Sequence, residues 1–149
     1  FKNNIYYEMI QENGVPVKNG LKELLEFLKE QKIPAAVATS TGRASAEMVL
    51  KMAGVYEDLT AFMYGDMLKA SKPEPDIFLE AAKKLGQEPK DCAVIEDSIS
   101  GVLAGKAAGG YVIYIPDIMK VPEEVKEGIT AELPELSCVT EWIKEENRR

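Results

Sequence analysis

Three times along this chain a strand-length apolar run is followed by a cluster of polar residues, after which a helical pattern begins. The runs are Pro34-Ala35-Ala36-Val37-Ala38, Ala61-Phe62-Met63-Tyr64 and Cys92-Ala93-Val94-Ile95. The polar clusters after them are Thr39-Ser40-Thr41-Gly42-Arg43, Ser71-Lys72-Pro73-Glu74-Pro75-Asp76 and Glu96-Asp97-Ser98. Between the first two strand-like runs and after the third, apolar residues recur with helical spacing. Short strands alternating with helices of this length require a parallel α/β sheet, because only a helical crossover returns the chain to a parallel neighbour. In such open sheets ligands bind just outside the carboxyl ends of the strands. The three polar clusters are therefore the places to look for chemistry.

The alternation extends over most of the chain. Phe1 to Asn13 reads as an amphipathic helix on Ile5, Tyr6, Met9 and Ile10, with Glu12-Asn13-Gly14 as its stop. Residues 15–20 read as an extended linker. Leu21, Leu24, Leu25 and Leu28 recur at i, i+3, i+4 and i+7, which predicts a helix ending before Pro34. Strand Ala35 to Ala38, helix Ala44 to Ala53, strand Ala61 to Tyr64 and helix Ile77 to Leu85 follow. Strand Ala93 to Ile95, helix Ile99 to Ala108 and strand Tyr111 to Ile115 continue the order. A short run near Ile129 to Leu133 precedes a last helix, Val139 to Asn147.

Each polar cluster admits two readings. Glu96 and Asp97 are adjacent carboxylates at a strand end, and such a pair repels itself unless a proton or a cation intervenes. A hard divalent ion with oxygen ligands, Mg2+ above all, suits them. Equally, Asp97 or Ser98 can simply cap the helix that follows. The hydroxyls of Thr39, Ser40 and Thr41, with Gly42 and a helix start behind them, form an anion-binding turn, or else only an N-cap. Pro73 biases Lys72 towards an extended backbone, and Pro73 and Pro75 stiffen the turn around it. This aims Lys72, although a surface lysine ahead of a Pro-initiated helix fits the same pattern. Asp76 reads as a helix cap, and Asp66 has no evident partner.

Composition removes several function classes. The chain has no histidine, so a Ser-His-Asp hydrolase, a His-based metalloprotease and a phosphohistidine mutase are all ruled out. A net charge of −7 and the lack of a basic stripe argue against a nucleic-acid partner. No apolar run approaches the ~20 residues of a membrane helix. Cys92 and Cys138 are isolated in sequence and read as reduced, buried thiols of a cytoplasmic protein.

Taken together and in order, the three clusters resemble the haloacid dehalogenase superfamily, in its branch of capped phosphatases and phosphomutases. The second motif of that family, a strand ending in Thr or Ser, is matched by Val37-Ala38-Thr39-Ser40-Thr41. The third, Lys-Pro-x-Pro-Asp-x-Phe, is matched from Lys72 to Phe78, and the fourth, Glu-Asp-Ser-x-x-Gly, from Glu96 to Gly101. The resemblance implies a three-layer Rossmann-like core over residues 15–149, with helices on both faces of a parallel sheet. Residues 1–14 would be the last helix of a helical cap.

The resemblance also assigns roles. Asp97, with Glu96, would hold Mg2+ against a phosphate oxygen. Lys72 would neutralise the phosphoryl group and the nucleophile. Thr39, with the N–H groups of Ser40 and Thr41, would bind the phosphoryl, and Arg43 would reach a substrate phosphate. The family's first motif, an Asp-x-Asp carrying the nucleophile, has no counterpart among Asp58, Asp66, Asp76, Asp91, Asp97 and Asp117. The expectation is therefore a C-terminal portion of a longer protein. The central first strand would be absent, leaving a gap between Ala35–Ala38 and Ala93–Ile95 for a missing N-terminal segment to fill. The implied function is a Mg2+-dependent phosphatase of a small phosphorylated metabolite, a sugar phosphate for instance, acting through an aspartyl-phosphate. A phosphomutase of the β-phosphoglucomutase kind and a non-catalytic phosphometabolite-binding or structural module are the alternatives.

Overall fold

Parallel strands buried on both faces define the centre of the molecule. In the computed structural model, which describes residues 4–7, 20–116 and 120–148, six strands form one sheet. They are β1 (Asn4–Tyr7), β2 (Ala35–Ala38), β3 (Ala61–Met63), β4 (Cys92–Glu96), β5 (Tyr111–Tyr114) and β6 (Ala131–Glu132). Their order is β3-β2-β1-β4-β5-β6, and every pairing is parallel. The helices are α1 (Leu21–Glu30), α2 (Arg43–Met52), α3 (Asp76–Lys84), α4 (Ile99–Ala108), α5 (Glu123–Lys126) and α6 (Ser137–Asn147).

The period-2 geometry of the strands sorts their side chains into two cores. Ala35, Val37, Ala93, Ile95 and Ile113 pack with Leu21, Leu24 and Leu28 of α1, Leu50 of α2 and Val139 and Ile143 of α6. Ala36, Ala38, Cys92 and Val94 pack on the other face with Ile77, Phe78 and Ala81 of α3 and Ala104 of α4. The result is the expected three-layer α/β arrangement. The small residues of β2 matter here, because Ala36 and Ala38 let α3 approach that face of the sheet closely under the site described below.

Two expectations need correction. Residues 4–7 are strand, not helix, and the central position is occupied by them. Tyr6 lies opposite Ala36 on one side and Val94 on the other. The apolar positions of this segment fit a helical stripe, yet Ile5, Tyr6 and Tyr7 are residues that favour strands. The open edges of β2 and β4 supply the deciding term, since interior strands with unpaired N–H and C=O groups are heavily penalised. The remainder of the expected cap helix and residues 15–19 of the linker lie outside the described residues.

Elsewhere the observed elements follow the expected ones within about two residues, the ordinary scatter of helix and strand ends. The four-residue helix α5, unforeseen, is too short to carry a periodic signal. Cys92 is buried, with its Sγ 3.4 Å from the Glu88 carbonyl, and Cys138 is only half-buried. Among the described residues no helix is long and apolar enough to cross a membrane.

Candidate active site

β2, β3 and β4 run parallel, so the turns that follow them emerge on one edge of the sheet. Thr39 directly follows β2 and is fully buried. Its N–H donates to the Met63 carbonyl at the end of β3 (3.0 Å), and its Oγ1 accepts the Thr41 N–H at 3.0 Å. The hydroxyl thus folds the backbone into a tight turn. That bond occupies the Thr41 N–H, one of the donors expected to face a phosphoryl group. Ser40 is exposed and Thr41 half-buried.

Lys72 lies in the long connection between β3 and α3, and its peptide bond to Pro73 is cis. It is no surface lysine: its side chain is only 2% exposed. The ammonium Nζ donates to Glu96 Oε1 at 2.7 Å and to the Ala38 carbonyl at 3.2 Å. It also sits 4.8 Å from the centroid of the buried Phe78 ring, a favourable place for a cation. Phe78 is the last position of the Lys-Pro-x-Pro-Asp-x-Phe motif. Its task here is to floor the ammonium from the first turns of α3, and the Lys-to-Phe spacing is the signal that carries it.

Glu96 ends β4 with a fully buried side chain. Oε1 takes the Lys72 ammonium, while Oε2 accepts the Asp97 N–H at 3.3 Å and the Ser98 hydroxyl at 3.4 Å. Ser98 is the N-cap of α4 and accepts the Gly101 N–H at 3.0 Å. A Cβ at position 101 would collide with the Glu96 carboxylate. The Glu-Asp-Ser-x-x-Gly turn is thereby explained as a packing unit: glycine clears the space into which the buried carboxylate folds against the helix start. The capping reading holds for Ser98, and Asp97 lies half-buried beside it on the sheet edge.

The remaining candidates separate from this centre. Arg43 is the first residue of α2, and its Nε pairs with Glu47 Oε1 at 2.9 Å, four residues on. Its guanidinium lies 5.9 Å from the Tyr64 ring centroid. The Glu47 hydrogen bond and charge raise the Arg43 pKa further. Tyr64, 3% exposed, has its phenol pushed up to about 12, by burial first and then by the Glu47 carboxylate. Asp76 is the first helical residue of α3 rather than its cap, Pro75 holding that position. Asp66 has a partner after all, the backbone N–H of Arg43, whose hydrogen bond its Oδ2 accepts at 3.2 Å.

Among the described residues no three acidic, cysteine or histidine side chains form a ready metal cluster. Mg2+ does not need one, since it binds through one or two carboxylates and completes its shell with water and substrate phosphate. With both Glu96 oxygens engaged within the chain, Asp97 is the carboxylate whose chemistry fits that use.

The chain has counterparts among known proteins. The family model of haloacid dehalogenase-like hydrolases matches residues 1–109. The chain belongs to this family. It is 39% identical over 121 residues to a bifunctional riboflavin kinase/FMN phosphatase of Arabidopsis thaliana, covering 79% of this chain and 32% of that protein. It is 36% identical over 113 residues to a phosphorylated carbohydrates phosphatase of Thermotoga maritima, covering 76% of this chain and 50% of that protein. Among solved structures, a CbbY variant of Rhodobacter sphaeroides in complex with xylulose-(1,5)bisphosphate superposes with a TM-score of 0.74 at 29% identity, covering 85% of this chain and 57% of that one. The chain thus spans half or less of the length of these two curated relatives.

Proposed function

We propose that this chain forms the phosphate- and metal-binding part of a Mg2+-dependent phosphatase acting on a small phosphorylated metabolite. The observation that carries the reading is the double anchorage of Lys72. Its ammonium joins the end of β2, next to Thr39, to the end of β4, next to Asp97. The three polar clusters are thereby gathered on one edge of the sheet, where an α/β fold places its ligands. A phosphatase of phosphorylated carbohydrates and a protein crystallised with a sugar bisphosphate, both similar to this chain, support a sugar phosphate as substrate.

In this reading Lys72 holds a fixed positive charge beside the phosphoryl oxygens, and Glu96 keeps it there. Preorganised charge of this kind stabilises a transition state without reorganisation at the moment of reaction. The Thr39 hydroxyl, whose oxygen is tied to the Thr41 N–H, keeps its own proton to donate to a phosphoryl oxygen, and Ser40 offers a second hydroxyl. Asp97 would ligate Mg2+, whose contribution is to neutralise charge on the transferring group. Arg43, paired with Glu47, would contribute only by exchanging that partner for a substrate phosphate. An aspartyl-phosphate would need a nucleophilic carboxylate, and no Asp-x-Asp occurs in this sequence to supply it. A cytoplasmic location accords with two cysteines isolated in sequence, without a Cys-x-x-Cys.

The test is turnover of a panel of sugar phosphates by the full-length protein with Mg2+. Asp97→Asn should remove most Mg2+-dependent turnover, and Lys72→Met should lower it by about 10²–10³, the usual effect of losing a transition-state donor. Near-normal rates in both variants would refute the assignment. The lack of an Asp-x-Asp favours a second reading, a phosphometabolite-binding module without turnover. Hydrolysis by the full-length protein would exclude it.

A further inference from the structure

We infer that Asp66 is a positioning residue for the phosphate loop, clasping residues 39–43 from the turn that follows β3. The inference rests on the reading of Thr39 to Thr41 as that loop. Three consecutive contacts connect the two segments. The Thr39 N–H donates to the Met63 carbonyl (3.0 Å), the Gly65 N–H to the Thr41 carbonyl (2.9 Å), and the Arg43 N–H to Asp66 Oδ2 (3.2 Å). Alternate peptide groups of the loop are thus held by β3 and its turn, continuing the parallel pairing beyond the end of the strand. The approach is close enough that a Cβ at position 65 would collide with the Ser40 carbonyl.

The third contact does what α2 cannot do for itself. Its N-cap, Gly42, has no side chain to bond a first-turn N–H, and no acidic residue lies in its own first turn. The exposed Asp66, 23 residues away in sequence, supplies that carboxylate. A cap provided from another strand fixes where α2 begins relative to β3, and with it the path of Thr39-Ser40-Thr41. A cap on the helix's own chain would stabilise α2 but leave that relation free.

The full-length protein tests this with inorganic phosphate as a competitive inhibitor of hydrolysis. Asp66→Ala should raise the inhibition constant for phosphate about five- to tenfold, the scale of a lost helix cap. Asp66→Asn retains an acceptor and should stay within about twofold of the parent, because the bond rather than the charge sets the loop. Arg43→Pro deletes the N–H donor at a position where helices accept proline, behind a Gly42 already extended (φ −65°, ψ 157°), and with it the side chain that pairs with Glu47. Arg43→Ala loses the same side chain and keeps the donor, so the further effect of Arg43→Pro over Arg43→Ala measures the donor alone. That further effect should match Asp66→Ala, and the double variant of Asp66→Ala with Arg43→Pro should be no worse than Arg43→Pro by itself. An unchanged constant in Asp66→Ala, or effects that multiply in the double variant, would overturn the inference. So would phosphate binding that improves in Asp66→Asn, which would make the residue an electrostatic brake. Should Lys72→Met retain full turnover, the parent reading falls and this inference with it; loss of turnover there with an unaffected Asp66→Ala overturns the positioning role alone.

Discussion

A lysine and a glutamate buried together are held in place by what each would suffer alone. The Lys72 and Glu96 side chains are 2% and 0% exposed, and their 2.7 Å contact takes both charges out of water. Such a pair adds little net stability over an apolar one, but removing one partner leaves an uncompensated buried charge. Glu96→Gln should therefore destabilise the fold by about 3–5 kcal/mol in urea denaturation. The double variant Glu96→Gln with Lys72→Met should recover part of that loss, because the stranded ammonium goes too. A single-variant loss below about 1 kcal/mol, the range of exposed pairs, would mean that water reaches the site.

At the scale of elements, the turn from β4 into α4 is a tight joint. Ser98 caps the helix, Glu96 folds back against its first turn, and Gly101 makes room for the carboxylate. Gly101→Ala should cost about 1–3 kcal/mol as an overpacking substitution. The usual gain from replacing a mid-helix glycine is of the opposite sign and smaller. Thermal denaturation decides between them, and a stabilised variant would show that the Glu96 carboxylate can move aside. The β3 turn makes the corresponding joint on the other side of the site, with Gly65 pressed on Ser40. Rigid joints on both sides leave Thr39 and Lys72 little freedom relative to each other.

For the whole molecule, the position of β1 governs whether the sheet is continuous. Asn4–Tyr7 separates β2 from β4, and the strand order reverses direction there. Proline in an interior strand removes a ladder hydrogen bond and is confined almost entirely to edges. Tyr6→Pro should then lower stability by about 3 kcal/mol or more, read from the denaturant midpoint. An unchanged midpoint would show that the two halves of the sheet are held by their helices rather than by the strand between them. Since the candidate site draws Thr39 from one half and Asp97 from the other, the same variant should weaken phosphate binding.

Much of this protein is written locally. The Leu21, Leu24, Leu25 and Leu28 stripe, the alanine-rich β2 run and the Cys92-to-Gly101 turn each specify their element through neighbouring residues alone, so helix, strand and cap were legible without coordinates. The order of strand-end clusters likewise marked Thr39, Lys72, Glu96 and Asp97, because a parallel sheet sends every such turn to one edge. Tertiary structure decided what depends on partners distant in sequence. Ile5-Tyr6-Tyr7 follows a helical stripe and a strand propensity equally well, and two open strand edges, near residues 35 and 93, select the strand. Arg43 follows a phosphate-loop sequence, but the Glu47 carboxylate one helical turn on claims its guanidinium. Asp66 carried no signal, since its partner is a backbone N–H 23 residues away, and backbone donors look alike in every sequence. Periodicity and turn chemistry act over a few residues and can be read in one dimension; hydrogen bonds between strand-end turns exist only once the sheet has brought them together.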